Sequence, residues 1–84
     1  VNNKQRKTLT AIFEKPTPKN LEWTAVASLI QALGGQIKHN QGSKVRIELN
    51  HISLNIHSPH PQKEVKHYVI CLLKEFLENA GVTP

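Results

Sequence analysis

The chain has one cysteine, Cys71, no aspartate and no internal repeat or low-complexity tract. A single thiol excludes an internal disulfide and any cysteine-based zinc site, which suits a reducing cytosol. No run approaches the roughly 20 apolar residues of a membrane span, and the opening VNNKQRK is polar rather than signal-like. The expectation is a cytoplasmic protein with no membrane partner. With no aspartate, the acidic side chains are six glutamates against eleven Lys and Arg, a formal net charge of +5. That imbalance favours a polyanion (RNA, DNA, an acidic protein or a membrane surface) without choosing among them. The 84 residues make one small domain, able to bury roughly 60 to 65 % of its unfolded surface, and leave no room for a second.

What is present is organised around Gly42 to His57, GSKVRIELNHISLNIH. Apolar and polar residues alternate there. Successive strand residues point to opposite faces, so Val45, Ile47, Leu49, Ile52, Leu54 and Ile56 form a buried sheet face, while Lys44, Arg46, Glu48, Ser53, Asn55 and His57 line the other. The pattern predicts strands at about 44 to 50 and 52 to 57, joined by a turn at Asn50-His51. A short strand at Gln36 to Gln41, with Ile37 inward and Lys38 outward, completes a three-stranded antiparallel sheet. Pro59 and Pro61 end the last strand because neither can donate to a ladder.

Residues 1-19 read as a helical extension and linker, and 20-84 as the single domain. In the extension, Asn2 or Asn3 caps a helix from Lys4 to about Phe13, with Leu9, Ile12 and Phe13 on one side, free to dock on the main body or a partner. Pro16 and Pro18 stop it. A second helix, Trp23 to Leu33, carries Trp23, Val26, Leu29, Ile30 and Leu33 at helical spacing and stops at Gly34-Gly35. Trp23 is in register with that stripe, so core packing is expected rather than base stacking. A third helix, from about Glu64 to Asn79, presents Val65, Val69, Leu72, Leu73, Phe76, Leu77 and Ala80 on one face. Cys71, among apolar neighbours, reads as a small core residue. The fold class is α+β: a two-layer α-β-β-β-α domain with an extra N-terminal helix and two helices covering one sheet face.

The order α-β-β-β-α is that of double-stranded-RNA-binding domains, and the local sequence more particularly resembles the HicA family of toxin ribonucleases. The resemblance rests on LIQALGG (29-35), the Gly42-Ser43 turn into the central strand, the strand-end prolines followed by HPQKEVK (60-66), and LLKEFLENAGVTP (72-84). It covers about residues 21 to 84. It implies a small toxin that binds and cleaves messenger RNA and is neutralised by a HicB-like antitoxin covering its active surface, with no cofactor. In that family a histidine directly after the Gly-Ser turn is catalytic. This chain has Lys44 there, so the residue identity does not carry over.

Cleaving RNA through its own 2′-hydroxyl needs a group to take a proton, a group to supply one and positive charge at the phosphate. Lysine supplies charge; histidine is the natural proton shuttle near neutral pH. His57 shares the outward parity of Lys44 and Arg46, and His60 sits three residues on, at a position resembling the family's strand-to-helix histidine. The expectation is that His57, or else His60, replaces the missing base while Lys44 and Arg46 hold phosphate. The alternative is that both are ordinary polar loop residues. Two neutral imidazoles with no converging carboxylate or thiolate make a poor metal site, so none is expected. His39 and His51 read as strand-edge and turn residues. Lys38, Ser43, Lys44, Arg46, Lys63 and Lys66 make up the expected nucleic-acid surface, which would be basic if the last helix begins beside the last strand. Two rivals stand beside the ribonuclease reading: a catalytically silent relative that still binds RNA or an antitoxin, and a protein-interaction module whose basic face meets an acidic partner.

Overall fold

A computed structural model of the chain describes residues 1–16, 18, 20–39, 44–57 and 64–84. The elements run α1 (Asn3–Phe13), α2 (Trp23–Ala32), β1 (Gln36–His39), β2 (Lys44–Leu49), β3 (Ile52–His57) and α3 (His67–Asn79). This is the expected α+β architecture, with a three-stranded antiparallel sheet in the order β1-β2-β3. The register pairs like faces: Val45 with Ile56, Ile47 with Leu54 and Leu49 with Ile52 on the inner side, Lys44 with His57, Arg46 with Asn55 and Glu48 with Ser53 on the outer. A one-residue slip would reverse every one of these side chains.

The inner face and the helices form one core, in which Val26, Leu29, Ile30, Val45, Ile47, Leu73 and Leu77 have no exposed surface. Trp23 is buried with them, as its register predicts. The N-terminal helix begins with a reciprocal capping box: Asn2 Oδ1 accepts from the Gln5 amide at 2.8 Å, and Gln5 Oε1 accepts from the Asn2 amide at 2.9 Å. It packs on α2 and α3, placing Leu9 and Ile12 in the shared core. The Leu9-Ile12-Phe13 stripe is therefore satisfied within the molecule.

Tight closures hold the layers. Gly34, at φ 90°, supplies the left-handed stop after α2. At Gly35 a Cβ would come within 2.8 Å of both the Glu48 carbonyl oxygen and Ile30 Cγ2, so only glycine lets α2 approach β2 this closely. The β2–β3 turn places both Asn50 (φ 50°) and His51 (φ 69°) in the left-handed region, the conformation that matches strand twist in a two-residue hairpin. Asn50 Nδ2 then donates to the Ala80 carbonyl at 2.8 Å, tying the hairpin tip to the end of α3.

The third helix starts three residues later than its periodicity suggests. Glu64 instead pairs with Glu22 in an antiparallel bridge, and the Val65 amide donates to the Leu21 carbonyl at 2.7 Å. An extended tertiary pairing thus wins over a weak, uncapped first turn, since Lys66 at the N-cap offers no side-chain acceptor. No helix among the described residues is long and apolar enough to cross a membrane.

Candidate nucleic-acid interface

Alternation along β2 and β3 builds the outer face. Lys44, Arg46, Asn55 and His57 are all exposed on it, none lying beneath a helix. Lys44 and His57 are direct cross-strand partners, an arrangement that sets Cβ atoms roughly 4.5–5.5 Å apart. Arg46 lies in the next outward row, between Lys38 on β1 and Asn55 on β3.

Glu48 organises the charges beyond. Its Oε1 lies 3.0 Å from Lys38 Nζ and its Oε2 lies 3.1 Å from Arg46 Nε, so each carboxylate oxygen holds one cation. The hydrogen bond from Lys38, reinforced by the charges of Lys38 and Arg46, keeps the Glu48 carboxyl below the usual glutamate range against a smaller opposing effect of desolvation. Two of the cations expected to meet phosphate are thus already partnered at rest. Lys44 forms no ion pair with any described residue.

The face does not end at the sheet edge. Lys44, Arg46, Asn55, Ile56 and His57 line an open groove of about 430 Å³ whose far wall is Tyr68 and Leu72 from the first two turns of α3. Neither wall residue was expected here. Tyr68 is 52 % exposed and Leu72 37 % exposed, which corrects the placing of Leu72 in the core stripe. The buried arc of α3 runs through Val69, Ile70, Leu73, Phe76 and Leu77, so Ile70 takes the inward position and Leu72 is turned out. Cys71 is corrected for the same reason: it is exposed, with Sγ 3.5 Å from His67 Nε2 one turn earlier. Apolar neighbours in sequence misled, because adjacent helical residues point about 100° apart. The signal for Tyr68 was an aromatic residue standing off its helix's apolar stripe.

Of the expected site residues, Lys44, Arg46 and His57 come together in the groove. Lys38 shares the sheet face but belongs to the Glu48 cluster. Lys66 is exposed at the N-cap of α3 and does not line the groove. Ser43, His60 and Lys63 fall outside the described residues. His39 is an exposed strand end and His51 a turn residue. Among the described residues no three His, Cys or Glu side chains converge as metal ligands.

The groove can therefore do two things chemically. Lys44 and Arg46 can hold an anion, and His57 can exchange a proton beside it. Compared with known proteins, the chain matches no family model, no curated protein and no solved structure.

Proposed function

We propose that the chain is an RNA-binding endoribonuclease, the toxin of a toxin-antitoxin pair, acting on messenger RNA in the cytoplasm and neutralised by a HicB-like antitoxin that covers the outer sheet face. The observation that carries the reading is the placement of Lys44, Arg46 and His57 in one exposed groove. The resemblance over residues 21 to 84 supplies the biological setting and the partner.

The chemistry follows from the side chains. His57 takes the proton of a ribose 2′-hydroxyl. The 2′-oxygen then bonds to the adjacent phosphorus, the bond from phosphorus to the 5′-oxygen breaks, and that oxygen leaves with a proton delivered from the Lys44 ammonium or from water. Lys44 and Arg46 offset the charge gathering on the non-bridging oxygens. No metal enters the scheme.

A second reading, RNA binding without cleavage, is favoured by one observation: among the described residues the groove holds a single imidazole, with Lys44 rather than a second histidine across from it. Incubating the purified chain with a long unstructured RNA, in the presence of a chelator, separates the two. Cleavage lost in His57→Ala and kept in His51→Ala supports the ribonuclease. Salt-sensitive binding with no cleavage supports the silent relative. No affinity for RNA even at low salt ends both, leaving the basic face to an acidic protein.

A further inference from the structure

We propose that Tyr68 is a base-stacking platform, so that the groove takes an unpaired nucleotide and rejects duplex RNA. The inference rests on the RNA-binding reading above and adds the substrate class. Tyr68 is a half-exposed aromatic ring on the wall of a cationic groove. Leu72, one turn further along α3, extends the same wall with an apolar surface.

The lining has a definite chemical character. Lys44, Arg46, Asn55 and His57 can all donate hydrogen bonds, and no carboxylate is among the described groove residues. Opposite these donors stands the ring. A ligand that satisfies both sides carries an anion at one end and a flat face at the other, which describes a nucleotide. The volume of about 430 Å³ lies within the range of roughly 300–1,000 Å³ typical of sites for small ligands, enough for one nucleotide.

Pairing decides the rest. In an A-form helix each base face is occupied by its neighbours, so a tyrosine can stack only on a base that has left the helix. Cleavage by the 2′-oxygen makes the same demand, because in-line approach to the phosphorus is barred by the regular helical backbone. A ring that captures an unpaired base beside Lys44 and His57 selects the conformation in which the reaction can proceed.

Tyr68 is the only tyrosine in the chain, so its ring resonances report on this groove alone. The test uses a short single-stranded oligoribonucleotide, a ribose-phosphate chain of equal length without bases, a duplex of the same sequence, and polyglutamate. The single strand is expected to bind more tightly than the duplex and to shift the Tyr68 ring protons upfield, while the abasic chain leaves them in place. Tyr68→Ala is expected to weaken single-strand binding about tenfold, with abasic-chain affinity unchanged, and Tyr68→Phe to stay within about twofold of the native chain. Native-like emission from the buried Trp23 shows that each variant is folded.

Equal single-strand affinity for Tyr68→Ala and the native chain overturns the stacking role while leaving RNA binding intact. Equal binding of single strand and duplex does the same. Failure of the native chain to bind any of the three nucleic acids overturns the RNA reading and this inference together. Preference for polyglutamate reassigns the groove to an acidic polypeptide.

Discussion

Lys44 stands directly opposite His57 across the β2–β3 pair, both side chains on the exposed face of the sheet. The pairing puts an amine and an imidazole at one cross-strand position. It also makes position 44 the place where a second imidazole would complete an acid–base pair. Lys44→His is therefore expected to accelerate RNA cleavage, by about 100-fold at the low end of what a positioned proton donor contributes. Rates measured on one RNA for the native chain, Lys44→His and Lys44→Ala check this. A Lys44→His chain no faster than Lys44→Ala would show that the charge, not proton transfer, is what position 44 supplies.

Glu48 holds Lys38 and Arg46, two cations that a bound RNA phosphate would have to draw away from it. Glu48→Gln is expected to raise RNA affinity several-fold and to steepen the salt dependence by about 0.7 in log–log slope for each phosphate newly engaged. The pH dependence has a definite sign. Because folding lowers the Glu48 pKa, its ion pairs are fully present above the unfolded-state value and are lost as pH falls through the lower folded-state value. Native RNA binding should tighten over that acidic window, and Glu48→Gln should lack that increment, since both chains share every histidine. Filter binding of the two chains across pH 3 to 6 checks it; parallel curves would discount the competition.

Cys71 lies on the solvent side of α3. Ellman's reagent is expected to titrate one thiol per chain in native buffer, at a rate within a few-fold of that in guanidinium. Protection by orders of magnitude would return the residue to the core.

Ile12 is 1 % exposed, though it belongs to the first helix. Ile12→Ala should destabilise the whole fold by about 2–5 kcal/mol, as for other large-to-alanine changes in a core. A lower urea midpoint with an unchanged slope, read at Trp23, is the expected signature. A midpoint within error of the native one would mean that α1 is dispensable.

The sheet was legible because alternation over Lys44 to Ile56 assigns every side chain to a face, and the observed register pairs those faces without exception. The helix stripes through Val26, Leu29 and Ile30 and through Val69, Leu73 and Phe76 were legible for the same reason. The far wall of the groove was not. Tyr68 and Leu72 reach it through the way α3 lies along the edge of β3, a tertiary relationship that no local period encodes. Nor could pattern alone place the Glu22–Glu64 bridge, which joins segments more than 40 residues apart and cuts α3 short. The pairing of Glu48 with both Lys38 and Arg46 likewise depends on β1 meeting β2 in register.

The third helix is moored at both ends, at its entrance by Val65 to Leu21 and at its exit by Ala80 to Asn50. Neither tie involves a groove residue, so what positions the helical wall is separate from what lines it. Substitutions at the lining residues can therefore alter what the groove accepts without cutting either tie.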